Sequence, residues 1–216
     1  MNKNSIENKQ LDLHGFSGNK IEVIRSNGNT FVRKTAKNID ENEKMEKEIN
    51  KLKRLQKISE KYGDFKVPKI LASDKNEKQL LFYELEFISG DNFDSSLGKL
   101  TSEKIKFFSK KLGKIIDTFS QESVESKINE KEFLKKKFTE MIIAVDGMDL
   151  STNLGKELLK ECTKNIYELE INALDLNNKS TFCHGDLALD NVLITKKYEI
   201  YLIDPLHNDY DNIMWD

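Results

Sequence analysis

The chain contains FCHGDLALDNVL at residues 182–193 and LIDP at residues 202–205. The longer segment supplies His184, Asp186 and, five positions further on, Asn191, and the shorter one supplies Asp204. Apolar, strand-like runs lie directly beside Asn191 and Asp204. Ordinary acidic loops would not require this order of polar groups next to such runs. The pattern therefore indicates a site that can hold a divalent metal and orient a hydroxyl group for attack on a nucleotide phosphate.

The geometry of this site follows from two predicted strands. The runs Val192–Thr195 and Ile200–Ile203 have strand composition, and the four polar residues between them form a connection of hairpin length. Antiparallel pairing brings Asn191 and Asp204 to the same open end of the hairpin. Their oxygens suit Mg²⁺, whose other ligands are usually waters and phosphate oxygens. Asp186 lies on the loop that leads to this end, where it can accept a proton from an attacking hydroxyl group.

The order of residues in these loops resembles the catalytic and metal-binding loops of the aminoglycoside phosphotransferase and choline kinase-like family. These proteins are small-molecule kinases of the protein-kinase-like fold. Protein kinases usually have Arg between the His and the Asp, whereas Gly185 is similar to the small-molecule branch. The resemblance implies that Asp186 is the catalytic base, Asn191 a metal ligand and Asp204 the principal metal ligand. It also implies that His184 braces the loop as a buried, hydrogen-bonded residue.

The resemblance covers nearly the whole chain and implies an α+β, two-lobed protein-kinase-like fold. Residues 1–88 would form a nucleotide-binding lobe with a small antiparallel β-sheet and one helix. Residues 89–216 would form a mainly helical lobe that carries the catalytic and metal-binding loops. Family members usually continue well beyond the metal-binding aspartate, whereas this chain ends at Asp216, twelve residues after Asp204. We therefore expect a truncated second lobe, a compact relative, or a protein whose acceptor site is completed by a partner.

A lysine in the N-terminal part is the candidate phosphate ligand. The runs IEVIRS (21–26) and TFVRKTA (30–36) flank an Asn-Gly-Asn turn, which predicts a β-hairpin. Alternation along the second strand puts Lys34 on the same face as Val32 and Ala36. A strand lysine taken alone is usually exposed and has no binding role. The motif downstream favours Lys34 as a phosphate-binding residue inside a cleft.

A helix is predicted to follow, with Asp40 as its N-cap and Glu43 at the third position of a capping box. Its apolar stripe consists of Met45, Ile49, Leu52 and Leu55. Glu48 lies on the flank of this stripe, and its spacing from Lys34 resembles the ion pair of the kinase-like family. Glu41 is the alternative partner, although its place in the first turn favours a role with the helix dipole. A plain surface glutamate is the other interpretation of Glu48.

The segment Leu13–Asn19 is the candidate phosphate loop. It contains Gly15, Ser17 and Gly18 and precedes the first predicted strand, so its backbone N–H groups can approach a phosphate. A simple turn is the alternative interpretation. The position of the segment before the Lys34 hairpin favours the phosphate loop.

The run QLLFYELEFI at residues 79–88 reads as a long, buried strand that ends before Gly90. The resemblance implies that this strand leads into the hinge between the lobes, where backbone groups near Glu86 and Ile88 meet the adenine. The apolar residues at its start are predicted to pack in the core, and these are Leu80, Leu81 and Phe82. Core positions are also predicted in the helical region that follows, at Phe107, Phe108, Phe138 and Met141.

Composition narrows the partners and the compartment. A net charge of −2 with 33% charged residues gives no basic field for nucleic acid. Cys162 and Cys183 are too far apart in sequence for a metal-type pair and suggest no disulfide framework. The N-terminal residues are polar, and no run approaches the ~20 apolar residues that span a membrane. We therefore expect a cytoplasmic protein that binds neither nucleic acid nor membrane.

The predicted function is an ATP- or GTP-dependent phosphotransferase that uses Mg²⁺ and acts on a hydroxyl group of a small metabolite. The acceptor would be a sugar, an amino alcohol or an aminoglycoside. The lack of a strong acidic cluster before Asp204 disfavours polycationic aminoglycosides. The alternative is a nucleotide-binding pseudokinase that acts as a scaffold or regulator. Protein phosphorylation is disfavoured by Gly185 and by the short C-terminal part.

Overall fold

The structure is a computed structural model that describes residues 11–14, 18–26, 28–123, 157, 161 and 181–206. Five strands form an antiparallel sheet in the spatial order β1-β2-β3-β5-β4. Their bounds are β1 Leu11–His14, β2 Lys20–Ser26, β3 Asn29–Thr35, β4 Ile70–Lys75 and β5 Leu81–Glu86. The sheet register places Lys34 of β3 opposite Tyr83 of β5. The predicted β2–β3 hairpin is therefore present at the centre of this sheet.

Helix α1, Asn42–Tyr62, packs against the sheet with the predicted apolar stripe. The side chains of Leu52 and Leu55 are fully buried, and each contributes roughly 1.5–3 kcal/mol relative to an exposed position. The predicted capping box at Asp40 is wrong. A 3₁₀ turn at Ile39–Glu41 precedes the helix, and the Asn38 side chain accepts a hydrogen bond from the Glu41 backbone N–H. Asn38 caps the turn because its short amide reaches that N–H group.

A second sheet carries the candidate catalytic segments. Its strands pair antiparallel in the order β6-β7-β8, with bounds β6 Gly90–Asn92, β7 Val192–Thr195 and β8 Ile200–Leu202. The predicted β7–β8 hairpin is thus confirmed, with Val192 opposite Leu202. Between β6 and β7 along the chain lie the short helix α2, Phe93–Ser96, and the longer helix α3, Ser102–Gln121.

Aromatic contacts join α3 to Phe182, which lies two residues before His184. The rings of Phe65 and Phe119 meet edge to face with centroids 5.5 Å apart, and Phe119 meets Phe182 in the same way at 5.0 Å. Phe119 and Phe182 are fully buried. Such pairs add about 0.5–1.5 kcal/mol to the burial of the rings. This cluster supports the chain immediately before His184.

Three expectations about the fold need correction. Leu11–His14 is a strand paired with β2, so the glycine segment joins two strands instead of preceding the first one. The strand predicted at residues 79–88 is shorter, because Gln79 adopts a positive φ of 60° and β5 ends at Glu86. Phe107 is 48% exposed, since it lies on the outer face of α3.

The other core predictions divide in the same way. Phe108 and Leu81 are buried as expected. Phe82 is partly exposed and lies under the Arg33 guanidinium, 4.8 Å from carbon Cζ to the ring centroid. Phe138 and Met141 lie outside the described residues.

Candidate active site

Lys34 and Glu48 form a buried ion pair between β3 and α1. Lys34 Nζ donates to Glu48 Oε1 at 2.8 Å, and the two residues are 7% and 9% exposed. Alternation along β3 turns Lys34 inward, and helical periodicity brings Glu48 to the same side of α1. The structure therefore contains the pair that the spacing predicts, and the rival Glu41 binds Lys44 instead.

The same lysine also contacts Asp204, which follows β8. Lys34 Nζ donates to Asp204 Oδ1 at 2.5 Å, across a sequence separation of 170 residues. Burial opposes the charge of Lys34, but Glu48 and Asp204 outweigh it and raise the pKa of the lysine. Burial likewise opposes ionisation of Asp204, yet the lysine charge and hydrogen bond lower the pKa of the carboxyl group. Lys34 and Asp204 are therefore charged near neutral pH. Burial raises the pKa of Glu48, and the charge of Lys34 limits that rise.

Asn191 and Asp204 meet at the open end of the β7–β8 hairpin, as the strand pairing requires. The Ile203 backbone N–H donates to the Asn191 carbonyl at 3.0 Å, which extends the ladder beyond both strand ends. Asp204 follows with a left-handed φ of 54° and leaves the ladder. Its side chain is 46% exposed on the cleft side. This conformation turns a carboxylate out of the hairpin end.

Asp186 is joined directly to Asn191. The Asn191 amide Nδ2 donates to the Asp186 backbone oxygen at 2.9 Å and to its carboxylate Oδ2 at 3.0 Å. These two hydrogen bonds hold the loop that carries Asp186 against the open end of the β7–β8 hairpin. They also direct the Asn191 amide oxygen away from the Asp186 oxygens, so that this oxygen can serve as a ligand.

The donor set at this end suits Mg²⁺. Among the described residues, no group of three or more His, Cys, Asp or Glu side chains could enclose a metal ion. Mg²⁺ does not need such a cage, because it usually takes one or two carboxylates together with waters and phosphate oxygens. The carboxylate of Asp204 and the amide oxygen of Asn191 match that requirement.

His184 is fully buried beneath the loop. Burial, together with the charge of Lys51, lowers the pKa of His184 to about 4, and the backbone of Asp186 and Ile203 only partly opposes this shift. The imidazole is therefore neutral at physiological pH. Burial and a neutral imidazole are what the expected bracing role of His184 requires.

A cleft of about 330 Å³ lies between the five-stranded sheet and the β7–β8 hairpin. Lys34, Asn191 and Asp204 line one part of it, and Glu86 and Ile88 line another. Apolar side chains form most of the remaining wall: Ile21, Val23, Val32, Pro68, Leu85, Leu193 and Ile203. An apolar slot next to a lysine, a carboxylate and an amide oxygen has the shape and chemistry to hold a nucleobase and its phosphates.

The candidate phosphate loop is only partly described. Gly15 and Ser17 lie outside the described residues. Gly18 adopts a positive φ of 71° just before β2, whose Ile21 and Val23 line the cleft. Gly18 itself is not among the cleft-lining residues.

Tyr83 and Lys51 are buried polar residues that the sequence analysis did not predict. Tyr83 donates from its hydroxyl group to Glu48 Oε1 at 2.5 Å. Lys51, one turn after Glu48 on α1, donates to the Leu206 backbone oxygen at 2.7 Å. The alternation of Leu81, Tyr83 and Leu85 on β5 would have placed Tyr83 on the face of Lys34, whereas no sequence pattern indicates the Lys51 contact.

The sequence model of the phosphotransferase enzyme family matches residues 10–216 of the chain. The chain belongs to this family. As a member of the phosphotransferase enzyme family, it is a small-molecule kinase, and the resemblance to aminoglycoside phosphotransferases is confirmed. No curated protein sequence matches the chain significantly.

Solved structures of phosphotransferases have the same fold. APH(2")-IIIa, in its complex with GDP and kanamycin, is 18% identical with a TM-score of 0.66, over 96% of this chain and 69% of that one. APH(2")-IIa, in a ternary complex with streptomycin and ATP, is 15% identical with a TM-score of 0.62, over 94% and 68%. A Haemophilus somnus 129PT protein provisionally named fructosamine-3-kinase is 14% identical with a TM-score of 0.58, over 94% and 67%. The predicted two-lobed, α+β protein-kinase-like fold is therefore confirmed.

The described part of this phosphotransferase contains no helix with the length and apolar character to cross a bilayer.

Proposed function

We propose that the chain transfers the γ-phosphate of ATP or GTP to a hydroxyl group of a small metabolite with the help of Mg²⁺. The observation that carries the proposal is the convergence of Lys34, Asn191 and Asp204 in one apolar-walled cleft. Lys34 would bind the nucleotide phosphates while Glu48 holds its ammonium group in place. Glu86 and Ile88 would present backbone groups to the nucleobase at the other end of the cleft.

The residues at the hairpin end fit the roles that phosphoryl transfer requires. Asn191 and Asp204 would hold Mg²⁺, which when bound neutralises charge on the transferring phosphate. Asp186 is exposed, and two hydrogen bonds from the Asn191 amide connect it to the hairpin end, which would hold its carboxylate beside bound phosphates. It would orient the acceptor hydroxyl group and accept its proton. Positioning of this kind supplies much of the catalysis for a loose transition state.

The acceptor is the finer part of the proposal. Structural neighbours include complexes with kanamycin and streptomycin as well as a protein named for fructosamine. We infer a polyhydroxylated or amino-alcohol acceptor and favour a sugar or amino alcohol, because the sequence has no strong acidic cluster before Asp204 to bind a polycation. We place the reaction in the cytoplasm, because this is the expected compartment and because the nucleotide donor is present there.

The test is a product assay on the purified chain. ATP or GTP is supplied with Mg²⁺ or with EDTA, together with aminoglycosides, amino alcohols, fructosamines or free sugars, and phosphorylated products are identified by mass spectrometry. We expect transfer to one acceptor class, with EDTA abolishing it. Asp186→Asn should lower kcat by about a hundredfold or more, since a positioned base contributes that much, while the nucleotide KM stays within about twofold.

Asp117→Asn on the exposed face of α3 is the matched control and should keep wild-type rates. A wild-type rate in Asp186→Asn would refute the assigned base. Nucleotide binding without transfer to any acceptor would favour a pseudokinase that acts as a scaffold or regulator.

A further inference from the structure

Tyr83 lies directly opposite Lys34 in the β3–β5 ladder. Opposite residues of an antiparallel pair project to the same face of the sheet, so both side chains extend toward α1. Tyr83 is 2% exposed, and it lines the back of the cleft. Burial raises the pKa of Tyr83 well above its ordinary value, with the charge of Glu48 adding to the effect. The hydroxyl group therefore remains protonated and serves as a donor.

One oxygen of Glu48 accepts both donors. Oε1 receives the Tyr83 hydroxyl at 2.5 Å and the Lys34 ammonium at 2.8 Å. Lys34 in turn divides its donors between Glu48 and Asp204, which lies 2.5 Å away. Tyr83 is thus a neutral donor to the Glu48 carboxylate. The charged donor to that carboxylate, Lys34, also binds Asp204.

This sharing has a consequence when a nucleotide binds. Phosphate oxygens would compete with Glu48 for the ammonium group of Lys34. A buried carboxylate that loses a hydrogen bond is destabilised and free to change its rotamer. Tyr83 provides a hydrogen bond that does not depend on where the lysine points, because its hydroxyl is carried by a rigid ring on a central strand.

We propose that Tyr83 is a positioning residue for phosphoryl transfer. It fixes the Glu48 carboxylate, and Glu48 then holds Lys34 toward the nucleotide phosphates. The inference rests on the proposed function, since it concerns the lysine that binds the phosphates. It predicts that Tyr83 affects the kinetic constants for the nucleotide and leaves the KM for the acceptor unchanged.

The test is steady-state kinetics of Tyr83→Phe, with nucleotide and acceptor varied separately at a temperature well below the Tm of each variant. We expect the nucleotide KM to rise and kcat to fall, so that kcat/KM for the nucleotide drops by about tenfold, while the acceptor KM is unchanged. A merely structural role would lower kcat with the folded fraction and leave both KM values intact. Because KM does not depend on the folded fraction, a poorly folding variant still reports the effect.

The chain offers a matched control on α1, the helix that carries Glu48. The Tyr62 hydroxyl donates to Glu122 Oε1 at 2.9 Å, and that oxygen also accepts from Lys61 Nζ at 2.6 Å. Tyr62→Phe removes the same hydroxyl group from another Tyr–Glu–Lys cluster, which lies outside the cleft. It should leave the nucleotide KM and kcat unchanged.

A double-mutant cycle with Glu48→Gln tests the route of the effect. If Tyr83 acts through Glu48, adding Tyr83→Phe to Glu48→Gln should change kcat/KM for the nucleotide by less than about twofold. The proposal is overturned if Tyr83→Phe keeps wild-type nucleotide kinetics, or if its effect is undiminished in the Glu48→Gln background. Absence of turnover in the wild-type protein would instead overturn the proposed function.

Discussion

Asp204 illustrates how single residues in this site combine an unusual backbone with a shared ion pair. Its φ of 54° lies in the left-handed region, where aspartate is tolerated better than most side chains. Such a conformation costs on the order of 1 kcal/mol and persists where the surroundings hold it. Here the hydrogen bond from Lys34 Nζ and the end of the β7–β8 ladder provide that support. The strained residue is thus the one assigned to the metal.

His184 should give the protein a specific dependence on pH. Its pKa in the folded state is about 4, whereas an unfolded histidine titrates near 6.5. The unfolded chain therefore binds the proton more tightly, and stability is lost as pH falls from about 6.5 toward 4. We expect the free energy of unfolding to decrease by about 2 kcal/mol through this group between pH 7 and pH 5.

Urea unfolding of the wild type and His184→Asn at these two pH values measures the effect. The variant should be less stable at pH 7 but should lose less stability on acidification, which separates His184 from the other titrating groups. Equal losses in both proteins would contradict a buried, neutral His184.

Among the secondary-structure elements, strand β6 depends on a close backbone approach. A Cβ atom added at Gly90 would lie 2.8 Å from the Ile194 carbonyl oxygen and 3.1 Å from the Ile194 carbonyl carbon on β7. These are backbone atoms, so the two strands would have to move apart. Gly90 therefore allows β6 to pair with the hairpin that carries Asn191.

Gly90→Ala is expected to lower the free energy of unfolding by about 1–3 kcal/mol, the usual cost of overpacking. Gly98→Ala is the control, because no atom lies within 4 Å of its added Cβ. Chemical denaturation of both variants measures the difference. Equal stability of the two variants would show that β6 and β7 can separate without cost.

The strands and helices show why some elements were predictable. The β7–β8 hairpin follows from two short apolar runs around a polar connection, a pattern that depends on local sequence alone. β6 consists of Gly90, Asp91 and Asn92, which have little strand preference, and it forms because β7 offers an edge. The start of α1 was displaced because Asn38 and Asp40 are both capping residue types, and only the three-dimensional path selects between them.

The residues of the candidate site likewise divide into those that the sequence predicts and those that it does not. Lys34, Glu48, Asn191 and Asp204 lie on elements with clear periodicity, so their meeting could be predicted from strand alternation and helix spacing. Tyr83 and Lys51 contact partners on other elements at points that depend on the packing of α1. Alternation along β5 indicates the face of Tyr83 but not its partner, and no local pattern indicates the Lys51 contact, so both contacts become visible only in the folded chain.

At the scale of the whole molecule, a cleft lies between the two sheets of the described residues. The five-stranded sheet contributes Lys34 and apolar walls, the linker contributes Phe87 and Ile88, and the end of the β7–β8 hairpin contributes Asn191 and Asp204. The Lys34–Asp204 ion pair links the five-stranded sheet directly to the end of the β7–β8 hairpin. We propose that a nucleotide with Mg²⁺ occupies this cleft beside Lys34 and Asp204.

Thermal unfolding with and without Mg²⁺ and ATP or GTP tests that claim most directly, on the wild type and on Asp204→Asn. A ligand at a hundred times its Kd adds about 2.7 kcal/mol, which should raise the Tm by roughly 5–10 °C for a chain of this length. We predict a shift of this size that requires Mg²⁺ and is lost in Asp204→Asn. No shift with either nucleotide, or an equal shift in Asp204→Asn, would contradict the account.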